Sequence, residues 1–412
     1  MWDTTQLFQA PATYAVADEP FNTMANDPVR PLLYDGVPYE GKPTRVFAWY
    51  GAPVGASAEK PVPAMVLVHG GGGTAFRKWV KLWNDRGYAA IAMDTCGHLP
   101  IPLDSDAKPW PKHAFSGPAG WGDYGNMDKP IGDHWAYHAV AAVVLGHSLI
   151  RSFPEVDASR IGVTGISWGG YLTCIVAGVD DRFRFAAPVY GCGFLGEGSA
   201  WLGRMRGMGT EKAMRLSTLW DPSQYLVYAR MPMLFCNGTN DNFFWPPAWM
   251  KSTSITKGPV NRYYKPRMPH GHAPSGDPKE ITAFADAILK GAQPLPNFTV
   301  FSHDDRRIQA QVASPTDIAS AEIIYTATST GEWKSRQWLS IPIAITKDNA
   351  AGVEGVNGTD GTDGTKGTDG TAVVVGSIRL DVTAPADAIA AYLAVTDSRG
   401  LFVSSPVIFW LE

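Results

Sequence analysis

Ser167 stands in the run Gly165-Ile166-Ser167-Trp168-Gly169-Gly170, a Gly-x-Ser-x-Gly pattern with an apolar stretch before it and helix-compatible residues after it. A serine hydroxyl lifted out of a sharp strand-to-helix turn is a nucleophile suited to acyl transfer. Glycine at 165 and 169 lets neighbouring backbone pass close to such a turn. The chemistry also needs a base at the hydroxyl and an acid that orients the base. On a parallel sheet these follow the serine in the order acid, then histidine. Asp241 closes the polar turn after the apolar run 233–237 and is the expected acid. His270 comes first after the strand-like run 262–265, with Gly271 behind it to allow a tight turn, and is the expected base. His272 competes for that role. Position alone favours His270, which leaves His272 beside the site or on the substrate.

A developing oxyanion needs two convergent backbone N–H donors. Trp168, directly after the nucleophile, supplies one. The segment His69-Gly70-Gly71-Gly72-Gly73-Thr74 follows a strand-like run and opens a helix, so it is the expected source of the other. Gly72 is favoured there, with Gly71 and Gly73 as alternatives, and His69 is read as an anchor for the loop. The absence of Lys-Ser or Lys-Thr after these glycines argues against a phosphate cradle.

The elements that must hold these groups alternate along the chain. Runs 45–50, 64–69, 88–94, 161–167, 183–190, 233–237 and 262–265 read as strands, and 76–86 and 135–153 as helices. This order implies a mostly parallel sheet flanked by helices. Asp277, Pro278 and Glu280 form a capping-box-like start for a last helix, which Gly291 can end. Two insertions, 96–133 and 193–230, follow strand ends on the catalytic edge and are candidate cap or cleft elements. Residues 1–44 show little periodicity and read as an extended segment on the surface. The catalytic domain is thus expected over 45–292.

After the linker Gln293-Pro294-Leu295-Pro296, short β-rich runs imply an immunoglobulin-like β-sandwich over 297–412. Within it, residues 352–371 carry a Gly-Thr-Asp triplet repeat whose composition cannot bury a core, and they read as a mobile loop. Calcium binding there is disfavoured, since the period is three residues rather than nine.

The whole chain has 412 residues, 45% hydrophobic and 18% charged, with a net charge of -4. That is globular composition, and it argues against nucleic-acid or anionic-membrane partners. No apolar run approaches a membrane span. The first residues lack the basic and apolar regions of a signal peptide, which leaves a cytoplasmic protein or a mature exported form. Cys96, Cys174, Cys192 and Cys236 form no zinc pattern; they read as buried thiols, with a Cys192–Cys236 bridge as an alternative. His134 and His138 share a helical face but have no third ligand, so no metal site is expected. Fifteen tryptophans are the compositional outlier. Trp110, Trp121, Trp245 and Trp249 lie in loops, where they either line a ligand cleft or pack a cap onto the core.

Taken together, the elbow, the glycine loop, Asp241 and His270 resemble the α/β-hydrolase superfamily. The runs Pro154-Glu155-Val156-Asp157 and Asp180-Asp181-Arg182-Phe183 are similar to its dienelactone hydrolase, acetyl xylan esterase and prolyl oligopeptidase branch. The resemblance covers roughly residues 45–291 in this numbering. It implies a serine carboxylesterase without metal or organic cofactor, acting on a small-molecule or oligosaccharide ester. Trp121, Trp245 and His272 are then expected at the substrate. A prolyl oligopeptidase-like peptidase, a lactone hydrolase and a non-catalytic carbohydrate-binding protein are the other readings. The serine separates the chain from dienelactone hydrolases proper, which use cysteine. Trp168 separates it from glucuronoyl esterases, which usually carry arginine there.

Overall fold

The computed structural model describes residues 1–101, 103, 110–118, 120, 124–271, 277–347 and 376–410. The loop at 352–371, Trp121 and His272 therefore lie outside the described residues. In chain order the first part holds α1 (Thr4–Leu7), β1 (Thr13–Tyr14), β2 (Val29–Asp35), β3 (Arg45–Gly51), β4 (Val62–Val68), α2 (Arg77–Asp85), β5 (Ala89–Met93), α3 (Trp135–Arg151), β6 (Val156–Ile166), α4 (Trp168–Val179), β7 (Phe185–Val189), α5 (Leu202–Gly207), α6 (Thr210–Trp220), α7 (Ser223–Leu226), β8 (Met233–Gly238), α8 (Pro246–Thr253), β9 (Val260–Lys265) and α9 (Lys279–Lys290). The strands form one sheet in the order β1-β2-β3-β5-β4-β6-β7-β8-β9. From β5 to β9 every neighbouring pair is parallel. β4, β5 and β7 are buried along nearly their whole length, as a sheet covered on both faces requires.

Residues 1–44 do more than line the surface. Within them β2 pairs antiparallel with β3 over seven positions, from Val29↔Gly51 to Asp35↔Arg45, so the sheet begins well before residue 45. The start of α9 also differs from the capping-box expectation. Pro278 occupies the cap position without a side-chain cap bond. Asp277 instead takes a two-pronged contact from Arg86 (2.7 and 3.1 Å), and the buried Glu280 accepts the Phe402 N–H at 2.9 Å. Long-range partners thus took both acids from the local motif. Gly291 does end the helix in the left-handed conformation, at φ 70°.

The C-terminal part contains β10 (Asn297–Asp304), β11 (Arg307–Ser314), β12 (Ile318–Thr326), β13 (Leu339–Pro342), β14 (Thr346–Lys347), β15 (Gly376–Thr383), β16 (Ala390–Asp397), β17 (Phe402–Ser404) and β18 (Ile408–Phe409). They form two antiparallel sheets, β10-β11-β15-β14 and β13-β12-β16-β17, with β18 also on β16. The seam between the two parts is aromatic. Tyr264 of β9 lies between Trp249 (ring centroids 5.0 Å apart) on one side and Tyr392 (5.1 Å) and Trp338 (6.1 Å) on the other. The Tyr392 hydroxyl donates to Tyr264 O at 2.9 Å, and Ser404 bridges Arg262 O and Tyr264 N–H at 3.3 Å each. β9, the last strand of the sheet, is therefore covered by the second part. Several of the tryptophans serve this packing.

All four cysteines are free and buried. Cys236 sits opposite Val189 in the β7–β8 register, but the Cys192–Cys236 alternative is not realised. The helix α3 is buried on almost every side, histidines included. His138 Nε2–H donates to Gly132 O at 2.8 Å, and burial pushes its pKa from the ordinary 6.5 down to about 4. His147, also in α3, is pushed the same way by burial. Between about pH 6.5 and 4 the unfolded chain therefore binds more protons than the folded one. The stabilising contribution is full above 6.5 and is lost as pH falls through this window. Replacing His138→Gln should flatten the pH dependence of the unfolding free energy there by up to about 1.4 kcal/mol per pH unit. Urea unfolding at several pH values between 4 and 7 measures it.

Candidate active site

The elbow forms where β6 ends and α4 begins. Ser167 has φ 59° and ψ -117°, a conformation that L-residues avoid and that surrounding contacts must hold. Its N–H donates to Val189 O of the neighbouring strand at 2.9 Å, and its carbonyl accepts the Tyr171 N–H at 2.8 Å. The two flanking glycines are steric necessities. A Cβ on Gly165 would lie 2.2 Å from Gly169 O, and one on Gly169 would lie 2.0 Å from Val68 O.

The structure brings Ser167, His270 and Asp241 into one hydrogen-bonded chain. His270 Nε2 lies 2.8 Å from Ser167 Oγ, and His270 Nδ1 lies 2.5 Å from Asp241 Oδ2. A carboxylate only accepts, so Nδ1 carries the proton and Nε2 is left to accept from the serine hydroxyl. Asp241 is fully buried; its other oxygen, Oδ1, takes the N–H groups of Phe243 (2.7 Å) and Phe244 (2.6 Å). The imidazole is held between rings, with Tyr190 4.3 Å and Phe243 4.7 Å away by centroids. The Tyr190 hydroxyl donates to Pro269 O at 3.0 Å, which fixes the loop just before the histidine.

The glycine loop faces this chain. His69 anchors it: Nε2 accepts the Thr95 N–H at 2.9 Å, so Nδ1 carries the proton and donates to Gly70 O at 2.9 Å. The Gly73 N–H is engaged by Gly70 O at 2.9 Å. Gly72 has φ 69°, and a Cβ on Gly71 would meet the Trp168 ring at 2.6 Å. A pocket of about 380 Å³ opens over Ser167, lined by Gly71, Gly72, Trp168, Trp201, Arg204, Phe243, His270 and others.

Trp245 is half-buried at the start of α8 and is not among the lining residues; Trp249 is buried in the seam and Trp110 in the core. Trp201, Phe243 and Arg204 line the pocket without having been singled out. Phe243 could have been found, since it sits two residues past Asp241 on the same turn. Trp201 and Arg204 lie in the 193–230 insertion, whose placement at the cleft was legible while its individual residues were not. The paired histidines of α3 bond elsewhere: His134 accepts from Trp220 Nε1 at 2.8 Å, and His138 donates to Gly132 O. Among the described residues, no group of three or more His, Cys, Asp or Glu could hold a metal ion.

Comparisons with known proteins agree with this architecture. The acetyl xylan esterase (AXE1) family model matches residues 29–197, and that of the PhoPQ-activated pathogenicity-related protein matches 202–335. An acetyl xylan esterase from Paenibacillus sp. R4 superposes with TM-score 0.55 at 21% identity, covering 70% of this chain and 92% of that one. Acetyl xylan esterase 1 from Thermoanaerobacterium sp. JW/SL YS485 superposes with TM-score 0.51 at 16% identity, covering 69% and 90%. The uncharacterized peptidase YuxL of Bacillus subtilis (strain 168) is 28% identical over 149 residues, which are 34% of this chain. The match spans only 19% of that relative's length. The chain has the α/β-hydrolase fold, and the acetyl xylan esterase match over residues 29–197 supports a serine hydrolase.

The crowding at the elbow gives a direct test. Gly169→Ala pushes backbone against backbone and should abolish soluble folded protein or lower Tm by many degrees. Gly271→Ala, whose Cβ would meet nothing within 4 Å, should leave Tm nearly unchanged. Differential scanning fluorimetry of the two variants measures the contrast.

Proposed function

We propose that the chain is a serine carboxylesterase that acts through Ser167, His270 and Asp241 and an acyl-enzyme intermediate. The hydrogen-bonded chain from Asp241 through His270 to Ser167 carries the reading. Ser167 Oγ attacks the ester carbonyl while His270 Nε2 takes its proton. Asp241 holds the imidazole in the tautomer this step needs and stabilises its protonated form. The negative oxygen of the tetrahedral intermediate is received by backbone amides. The Trp168 amide heads α4 and has no intrahelical acceptor. With the Gly73 amide engaged, Gly72 is the favoured second donor. His270 then returns the proton to the departing alcohol, and water repeats the cycle on the acyl-enzyme. Charge stabilisation comes from backbone dipoles, so these steps call for no metal or organic cofactor.

For the substrate we favour acyl esters of carbohydrates, acetyl esters of xylan type first. The acetyl xylan esterase matches and the aromatic walls of the pocket support this. One feature favours a narrower class. Among the described residues that line the pocket, Arg204 is the only one with a permanently charged side chain, and among the described residues no carboxylate pairs with it. Its guanidinium lies 5.8 Å from the centre of the Tyr124 ring. A free guanidinium at the mouth of the site fits an oligosaccharide that carries a carboxylate near the scissile ester.

Two measurements test this. Asp241→Asn keeps an acceptor for the Phe243 and Phe244 amides but presents an NH2 to His270 Nδ1, which forces the wrong tautomer. It should fold and lose about 10⁴-fold in kcat on an activated acetyl ester, and Ser167→Ala should lose at least as much. Deacetylation of oligosaccharides with and without a uronic acid side group then reads the substrate. Arg204→Ala should lower kcat/KM about tenfold on the acidic substrate and leave the neutral one unchanged. Faster cleavage of alanyl or prolyl anilides than of any ester would replace this reading with a peptidase.

A further inference from the structure

The second part of the chain touches the turn that carries the acid. Asn240, directly before Asp241, reaches across the seam. Its Nδ2 donates both protons to backbone carbonyls of the β12–β13 connection, Lys334 O at 2.8 Å and Arg336 O at 2.9 Å. On its other side Asn240 Oδ1 accepts from Thr239 Oγ1 at 2.8 Å. The same Thr239 hydroxyl accepts the N–H of Arg267 at 2.9 Å, in the loop that leads to His270. Arg267 has φ 58°, so this loop is held in a conformation that its own sequence disfavours. The acid turn and the histidine loop are also in contact directly, since a Cβ on Gly238 would lie 2.0 Å from Met268 O.

From this geometry we propose that the C-terminal β-domain is a positioning element of the active site, acting through Asn240 as a clamp on the turn that presents Asp241. The inference rests on the triad reading above. Both Nδ2 protons of Asn240 are committed to the second domain, and both carbonyls sit on the ordered turn Trp333–Ser335 and the residue after it. That turn is itself fixed. Arg336 lies over the Trp333 ring at 3.8 Å, and Trp333 packs on Trp338, which packs on Tyr264 of β9. The domain thus grips both segments that bear His270 and Asp241, one through β9 and one through the clamp. A single amide that joins two carbonyls at fixed distance leaves the acid turn little freedom to shift. A shift of an ångström there would lengthen the 2.5 Å contact that sets the imidazole tautomer.

The test uses the full-length chain. Asn240→Ala removes the clamp. Asn240→Asp keeps the size and the acceptor for Thr239 but sets an oxygen against two carbonyls. Both should lower kcat on an activated acetyl ester about ten- to a hundredfold while KM stays within about twofold. The rate of labelling by a fluorophosphonate should fall in parallel. Asn240→Gln, which keeps both donors, should recover most of the rate. Active-site titration and circular dichroism confine the comparison to folded molecules. Wild-type kcat in both the alanine and aspartate variants would overturn the clamp while leaving the triad reading intact. Full activity in Ser167→Ala would overturn the triad reading itself. A rise in KM with kcat unchanged would assign Asn240 to substrate binding and also overturn the proposal.

Discussion

Backbone crowding at the elbow is the constraint on which the rest of the site depends. With Gly169 pressed against Val68 O and Gly165 against Gly169 O, the strand β4, the end of β6 and the start of α4 occupy one small volume. Only there does the chain turn sharply enough to hold Ser167 at a positive φ with its hydroxyl clear of the sheet. The glycine loop leaves β4 at the same point, so Ser167 and the loop facing it are fixed by one packing event. Asp241 and His270 arrive from β8 and β9, two and three strands away from β6. Their positions are set by a different part of the structure.

That separation explains what could be read from the sequence. The elbow is local: five residues carry both the turn and the reason for it. Asp241 and His270 could be picked out because each follows a strand-like run, and strand ends on one edge of a parallel sheet converge. The strand β2 was not. Pro31 in its middle argues against a strand, yet it lies outside the two-residue pairing with β1 and needs no donor there. Asp277 and Glu280 matched a local helix-start pattern but were claimed by Arg86 and by the Phe402 amide, contacts nearly two hundred and more than a hundred residues away. The pocket walls were legible only as a region, because which aromatic of an insertion faces the serine depends on how short helices pack.

Beyond those buried in the core of the first part, such as Trp49, Trp83 and Trp135, the tryptophans serve two further tasks. Trp168 and Trp201 pack ring to ring at 4.8 Å as a wall of the pocket. Trp249, Trp333 and Trp338 join Tyr264 and Tyr392 in the seam between the two parts. Large flat side chains suit both tasks, since they cover much apolar area with few rotatable bonds. The seam aromatics press on β9, whereas the pocket aromatics are available to a ligand.

The covering of β9 has a consequence for how the molecule is made. A sheet margin with unpaired peptide groups is sticky until something shields it. The residues that shield β9, Ser404 and Tyr392, leave the ribosome more than a hundred residues after it. During synthesis the nascent first sheet therefore waits with its last strand bare, and with the loop bearing His270 unsupported, until those residues have emerged.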